Sequence, residues 1–327
     1  MRNITYRDAL REALREELAR TKDVFLLGED IADPFGGSYK VTLGLSEEFG
    51  ENRVRNIPIS EIAVVGAALG AAMAGMRPVA EIMYVDFCGC AMDQIMNQVA
   101  KLRYISGGQI EAPMVIRAPQ GTGRSSAAQH SQSLEAMFTH IPGLKVVMPS
   151  TPYDAKGLLK TAIRDNDPVI FLEHKMLYNM SGEVPDEEYL IPFGKIDIKR
   201  AGHDVTIVAT SQMVHSALEA AQLLEKEGIS AEVIDPRSLV PLDEEGIFSS
   251  IRKTHRLVVA HEAVRRGGWG GELCGLIMEN CFDELDAPVV RIASENSPIP
   301  FAACLEKEIV PDVADIVAGV RRVLNWR

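Results

Sequence analysis

Glu61 stands at the start of a long apolar stretch and is the first candidate for proton chemistry in this sequence. Residues 62–75 carry no charged side chain, and most of them are alanine or glycine. A helix that is apolar on all sides is typical of a buried position, so we expect Glu61 in the first turn of a buried helix. A carboxylate half shielded from water can hold or share a proton near neutrality, as a general acid or base must. A helix cap formed by Ser60 and Glu61 is an equally good interpretation of the same residues.

His130 is the second candidate for proton chemistry. It lies in the segment Gln129-His130-Ser131, after a loop rich in glycine and serine. That loop follows a predicted strand over 114–117, and α/β proteins bind ligands beyond the carboxyl ends of parallel strands. A histidine in such a loop could carry protons at neutral pH. The residues alone slightly favour the alternative, a structural histidine that is hydrogen-bonded to its hydroxyl and amide neighbours.

Signals for phosphate binding are weak in this sequence. The segment Gly121-Thr122-Gly123 lacks the third glycine and the later acidic residue of a dinucleotide-binding fingerprint. Gly66 and Gly70 fall inside the apolar stretch, where small residues permit close helix packing. The sequence contains neither a P-loop nor a Gly-Asp-Gly segment followed by asparagine about thirty residues later. If the protein uses a phosphorylated cofactor, we therefore expect another chain to bind the diphosphate.

Short apolar runs alternate with amphipathic segments along the chain. The pattern predicts strands over 24–28, 114–117 and 169–172, and helices over 5–20, 91–104 and 154–165. Strands separated by helices at this spacing indicate parallel sheets covered on both faces. We predict an α/β protein with two doubly wound domains, at 1–185 and 203–327. The polar segment 186–202 is predicted to be the linker between them.

Composition narrows the functional class. The chain has 327 residues and a net charge of −12, which argues against binding to nucleic acid or to anionic membranes. The five cysteines have no spacing typical of a zinc site, and reduced cytoplasmic thiols are the plain interpretation. The first residues lack the apolar core of an export signal, so a cytoplasmic location is expected.

Several ordered segments together carry a family resemblance over nearly the whole chain. The chain resembles the β subunit of the thiamin diphosphate-dependent decarboxylating component of 2-oxo acid dehydrogenase complexes. Three segments, 84–90, 171–178 and 182–185, look most like those of acetoin dehydrogenases. The segments that carry the wider resemblance include Leu27-Gly28-Glu29-Asp30, Ile57-Pro58-Ile59-Ser60-Glu61, Ala128-Gln129-His130-Ser131-Gln132, Pro142-Gly143-Leu144-Lys145 and Val233-Ile234-Asp235.

The resemblance implies a role for each matching site residue. Glu61 matches the glutamate that hydrogen-bonds N1' of the cofactor's aminopyrimidine. Phe87 matches the aromatic residue that packs on that ring, and Glu29 and Ile59 match residues near the cofactor. His130 matches the active-site histidine that handles protons during transfer to the lipoyl group. The implied fold is a transketolase-like pyrimidine-binding domain followed by a transketolase C-terminal-like domain.

The resemblance also implies a structural potassium ion that is held mostly by main-chain carbonyls. Asp167 stands where the better-known pattern has an amide side chain. Oxygen ligands suit a hard cation such as potassium. The positions that match the ion's ligands are Ala112, Met114, Val115, Ala162, Ile163, Asp165 and Asp167.

The implied assembly is an α2β2 heterotetramer. In this family the α subunit carries the Mg²⁺ and diphosphate site, and the basic subunit-binding domain of a lipoyl-bearing acyltransferase docks on β. The implied substrate is acetoin, with pyruvate as the alternative and a branched-chain 2-oxo acid third.

Two other classes of protein remain open on the residues. A single-chain transketolase-like enzyme would need the diphosphate motif that this sequence lacks. A non-catalytic interaction subunit would use Glu61 only as a helix cap. These alternatives differ in whether the chain needs a partner to bind the cofactor.

Overall fold

The computed structural model describes residues 1–326, and they form two compact units. The first unit contains residues 1–120 and 137–193. The second contains residues 121–136 and the chain from residue 194 onward. The segment 121–136 thus leaves the first unit in the middle of its sequence and packs with the second. Among the described residues, none of the helices is long and apolar enough to cross a membrane.

The strands of the first unit form one parallel sheet and a small antiparallel pair. The parallel strands lie in the order β6-β7-β5-β4-β2-β3, and β1 pairs with β8. The strand bounds are β1 Arg2–Thr5, β2 Val24–Gly28, β3 Val54–Asn56, β4 Arg77–Glu81, β5 Val115–Gln120, β6 Lys145–Val147, β7 Val169–His174 and β8 Ser181–Val184.

The second unit has a five-stranded sheet in the order β14-β13-β10-β11-β9, in which only the edge strand β9 is antiparallel. The prediction of two α/β units with largely parallel sheets is confirmed. The strand bounds are β9 Asp197–Arg200, β10 Val205–Ala209, β11 Ala231–Asp235, β12 Ser238–Val240, β13 Leu257–Val264 and β14 Val290–Ser294.

Helices cover the sheets, and several begin at side-chain caps. The hydroxyl of Thr5 accepts a hydrogen bond from the amide of Asp8 at the start of the first helix. Thr151 caps the helix Pro152–Arg164 in the same way. Asp312 and Asp315 form a capping box. The helix bounds are α1 Tyr6–Arg20, α2 Leu45–Phe49, α3 Glu61–Met73, α4 Leu102–Ile105, α5 Glu135–Thr139, α6 Pro152–Arg164, α7 Gln212–Glu225, α8 Glu244–Thr254, α9 Trp269–Asn280, α10 Ala303–Ile309 and α11 Val313–Leu324.

The predicted helix over 91–104 is wrong in form. A 3₁₀ segment covers Val85–Ala91, a π-helical segment covers Gln94–Val99, and α4 is a separate short turn. The apolar pattern revealed helical backbone here but not its pitch. π-Helical turns are rare and often occur at functional sites. The predicted linker 186–202 contains the strand β9.

A buried ion cluster lies at the centre of the parallel sheet. Arg117 on β5 is fully buried, and its guanidinium donates to Glu173 on β7 at 2.6 and 2.8 Å and to Glu81 on β4 at 2.6 Å. The hydroxyl of Tyr178 also donates to Glu173, at 2.6 Å. Burial lowers the pKa of Arg117, but the two carboxylates more than offset this and the net pKa is raised. The guanidinium therefore stays charged and holds three neighbouring strands together.

We expect Arg117→Met to destabilise the protein by about 3–5 kcal/mol, because it leaves two carboxylates buried without their cation. The measurement is the urea midpoint of unfolding, followed by circular dichroism. Arg15→Met is the matched control, since it removes an exposed pair with Glu48. Its urea midpoint should stay close to that of the unchanged protein, because exposed ion pairs contribute little to stability. Equal shifts for the two variants would show that the buried cluster contributes no more than a surface ion pair.

Candidate active site

The carboxyl ends of β2 and β3 bring the first site residues to one edge of the sheet. Gly28 at the end of β2 is in register with Asn56 at the end of β3, and the two strands are parallel. The amide of Ile57 donates to the carbonyl of Gly28 at 2.9 Å. Glu29 follows β2 directly, and Glu61 begins α3 five residues after β3 ends. Both carboxylates therefore lie at the edge where α/β proteins bind ligands.

Glu61 lies close enough to Glu29 to affect the pKa of Glu29. The pKa of Glu29 is raised, first by burial and then by the negative charges of Asp30 and Glu61. Carboxylates that repel one another in this way favour a shared proton or a ligand that neutralises them.

The Glu61 side chain is half-buried and is not satisfied by the protein. Among residues 1–326 it receives no hydrogen bond and forms no ion pair. The side chain of Ser60 makes no capping hydrogen bond to α3 either. The helix-cap interpretation of these residues is therefore wrong, and the Glu61 carboxylate remains available to a ligand.

One face of α3 is uncovered. Val64, Val65 and Ala68 are buried, but Ile62 and Met73 are 49% and 50% exposed. The prediction that this helix is buried on every face is therefore wrong for the single chain. An apolar residue packs equally well against its own chain or a partner, so composition cannot distinguish the two. The exposed residues of this face are Ile62, Ala63, Ala67, Gly70 and Met73.

Phe87 lies in the 3₁₀ segment Val85–Ala91, which packs against α3. Its side chain is half-buried. The neighbouring Cys88 is buried, and burial together with the charges of Asp86 and Glu61 raises the pKa of its thiol to about 12. Cys88 is thus an inert thiol, and because the charge of Glu61 acts on it, the segment that carries Phe87 lies near the Glu61 end of α3. Ile59, two residues before Glu61, is 75% exposed.

His130 belongs to the second unit, within the loop 121–136. Two carboxylates fasten that loop: Glu262 accepts from the amide of Thr122 at 2.8 Å and from the hydroxyl of Ser133 at 3.2 Å. Glu306 accepts from the amide of Gly123 at 2.8 Å. Sequence reasoning did not identify either glutamate. The position of Glu262 inside β13 is the only signal that could have drawn attention to one of them.

A cavity of about 330 Å³ borders this loop in the second unit. It is lined by Ser131, Ser133, Glu262 and Ser294, among others. The hydroxyl of Ser131 is buried and has no hydrogen-bond partner in the described part of the chain. The His130 loop therefore carries polar groups beside a space large enough for a small ligand.

The positions implied for potassium lie together in the first unit, but their oxygens already have donors. Arg77 donates to the carbonyls of Ile163 and Asp165, and Lys145 binds the carboxylates of Asp165 and Asp167. This donor set does not fit a bound potassium ion.

We expect Glu306→Ala to loosen the His130 loop without unfolding the protein, because one of its two carboxylate anchors is lost. Arg124 is exposed in that loop, so trypsin reports on its mobility. Cleavage after Arg124 should become several-fold faster, since it requires local opening. The control is Glu308→Ala on the same helix, where the carboxylate is exposed. Unchanged cleavage in Glu306→Ala would mean that Glu306 does not hold the loop.

Comparison with known proteins gives the family. The family described as "Transketolase, pyrimidine binding domain" matches residues 2–181, and "Transketolase, C-terminal domain" matches 194–316. A solved structure described as "Split gene transketolase, inactive beta4 tetramer" is 26% identical, with a TM-score of 0.82 over 98% of each chain.

Curated relatives match along their full length. The chain is 49% identical to the acetoin:2,6-dichlorophenolindophenol oxidoreductase subunit beta of Bacillus subtilis, over 99% of this chain and 98% of that one. It is 48% identical to the pyruvate dehydrogenase E1 component subunit beta of Porphyra purpurea, over 97% and 96%. It is 46% identical to the 2-oxoisovalerate dehydrogenase subunit beta of Bacillus subtilis, over 99% of each. The chain therefore belongs to the β subunits of the thiamin diphosphate-dependent dehydrogenase components of acetoin and 2-oxo acid dehydrogenase complexes.

Proposed function

We propose that this chain is the β subunit of an α2β2 enzyme that cleaves acetoin and passes the acetyl group to a lipoyl group. The observation that carries the proposal is the Glu61 carboxylate, which lies at the ligand-binding edge of the sheet without a donor from residues 1–326. The similarity to an acetoin oxidoreductase β subunit along the whole chain supports the substrate.

The residues near Glu61 fit one end of thiamin diphosphate. The cofactor, when bound, supplies a carbon nucleophile that cleaves the bond beside a carbonyl. Glu61 holds a proton at N1' of the aminopyrimidine, and the half-buried Phe87 gives an apolar surface for the ring. Ile59 and Glu29 complete this end of the site. The carboxylates at this end of the site make it negative, which contributes to the raised pKa of Glu29. A negative surrounding favours a protonated pyrimidine nitrogen.

His130 serves the second half of the reaction in this proposal. Its loop is held by Glu262 and Glu306, beside a cavity whose lining includes the orphaned hydroxyl of Ser131. A histidine can donate a proton at neutral pH, and a lipoyl sulfur needs one when its disulfide opens. The role of His130 is to protonate that sulfur during acetyl transfer.

The partner supplies what this sequence lacks. Because the chain has no diphosphate-binding motif, we propose that the α subunit carries the Mg²⁺ and diphosphate site. The uncovered face of α3, with Ile62 and Met73 about half exposed, is where α covers this chain. Isolated soluble chains seldom leave a contiguous apolar face exposed, and a partner subunit removes that cost.

Two further features of the proposal follow from charge and thiol chemistry. The net charge of −12 suits docking of a basic subunit-binding domain from the lipoyl-bearing acyltransferase. The five cysteines are free thiols, which suits the reducing cytoplasm.

We expect Glu61→Gln in the assembled enzyme to lower turnover by about 10²–10⁴-fold, because removal of a proton-handling group commonly costs that much. The measurement is reduction of a dye acceptor at saturating cofactor and substrate, with the melting temperature recorded in parallel. Glu51→Gln is the matched control, since Glu51 is exposed. Turnover near that of the control would refute the assignment of Glu61.

We also expect the assembled enzyme to reduce the dye faster with acetoin than with pyruvate at equal concentration. The relatives that act on these compounds by name are nearly equally similar, at 49% and 48% identity, so overall identity does not decide. Pyruvate is the alternative substrate, and a branched-chain 2-oxo acid is the second alternative. A clear preference for either would replace the substrate assignment while leaving the role of Glu61 intact.

A further inference from the structure

The turn between α6 and β7 concentrates oxygen atoms at one point of the first unit. Residue Asp165 caps α6, and Asp167 and Pro168 lead into β7. The carbonyls at the end of α6 carry the negative end of the helix dipole, and two carboxylates add to it. Such a cluster requires positive charge from some source.

Arg77, the first residue of β4, supplies the first positive charge. One guanidinium nitrogen, Nη1, donates to the carbonyl of Ile163 at 3.1 Å and to the carbonyl of Asp165 at 2.8 Å. The other, Nη2, donates to the side-chain oxygen of Asn166 at 2.6 Å. A single planar side chain thus spans two carbonyls at the end of the helix and the turn that follows.

Lys145, the first residue of β6, supplies the second positive charge. Its ammonium lies 2.7 Å from each carboxylate oxygen of Asp165 and 3.2 Å from Oδ2 of Asp167. Arg103 pairs with the other oxygen of Asp167. Although burial alone would raise it, the hydrogen bonds from Arg103 and Lys145 hold the pKa of Asp167 below its ordinary value. Both carboxylates are therefore paired with cationic side chains.

The other carbonyls of this region serve the backbone. The carbonyl of Ala112 accepts from the amide of Met114 at 2.8 Å, and that of Met114 accepts from Val169 at 3.0 Å. The carbonyl of Ala162 accepts from the amide of Asp165 at 3.3 Å. A potassium ion coordinated here would have to lie beside the charged groups of Arg77 and Lys145, and like charges repel strongly at such distances.

We propose that Arg77 and Lys145 take the place of a bound monovalent cation in this chain, so that the turn 165–168 is organised without potassium. Both positive charges come from side chains at the first residues of strands, Arg77 on β4 and Lys145 on β6. The proposal does not depend on the substrate or on the role of Glu61, because it concerns only how the turn is stabilised.

The test is thermal unfolding of the assembled enzyme in potassium chloride and in choline chloride at equal ionic strength. We expect the two melting temperatures to agree within about 1 °C. A melting temperature that rises by several degrees with potassium, saturating in the millimolar range, would overturn the proposal. The readout is independent of turnover, so failure of the proposed activity would leave it interpretable.

Substitution of Lys145 gives the second arm. In choline chloride, Lys145→Met should lower the melting temperature by about 2–4 °C, because two carboxylates lose a shared cation. Lys145→Arg should retain most of the stability, since it preserves the charge. Lys226→Met is the control, because Lys226 is exposed at the end of α7. A loss in Lys145→Met no larger than in the control would contradict the role assigned to Lys145.

Discussion

The first unit depends on one buried positive charge at the middle of its sheet. Arg117 joins β4, β5 and β7 through Glu81 and Glu173, and all three side chains are shielded from water. Ionised groups in such a place are tolerated only when each is paired and hydrogen-bonded. The strands of this sheet are therefore held together by three charged side chains. Replacing any one of them with an uncharged residue would leave a buried charge without its partner.

The influence of this cluster extends to the loop after β2. Tyr178, which donates to Glu173, stacks on Tyr39 with ring centres 4.3 Å apart and meets the edge of Tyr6 at 5.9 Å. A Cβ on Gly37 would lie 2.8 Å from Oε1 of Glu81, so a larger residue there would displace the carboxylate that pairs with Arg117. Gly37 also has a φ of +74°, which glycine adopts without strain. The carboxylate that pairs with Arg117 thus also dictates the path of the chain beyond Glu29.

The chain treats its carboxylates in two different ways. Glu81, Glu173, Asp165 and Asp167 are all held by cationic side chains, whereas Glu61 has no donor among residues 1–326. These four carboxylates are neutralised within the chain, whereas Glu61 at the ligand-binding edge is available to something that binds there. Whether a carboxylate has a cationic partner therefore separates structural from ligand-binding carboxylates in this chain better than its exposed fraction does.

Local patterns predicted much of this architecture, because parallel strands and amphipathic helices leave a period in the sequence. The strand Val24–Gly28 was predicted with these bounds, and the helix Tyr6–Arg20 was predicted to begin one residue earlier. The π-helical pitch of the segment Gln94–Val99 was not predicted, because an apolar run has the same composition in an α-helix and in a π-helix. The loop anchors Glu262 and Glu306 were not predicted either, because their partners lie 140 and 183 residues away in the chain. The role of Arg77 was not predicted for the same reason, because its hydrogen-bond partners lie 86 to 89 residues away in the chain.

The uncovered face of α3 has a consequence for how the protein is made. The helix face that exposes Ile62 and Met73 favours association with other apolar surfaces in water. It remains exposed in the folded chain until a partner covers it. Chains produced in excess of their partner pair with one another or are removed by chaperones and proteases that recognise apolar surface. If the partner covers this face as proposed, we expect chains made in excess of the partner to have a shorter lifetime than assembled ones.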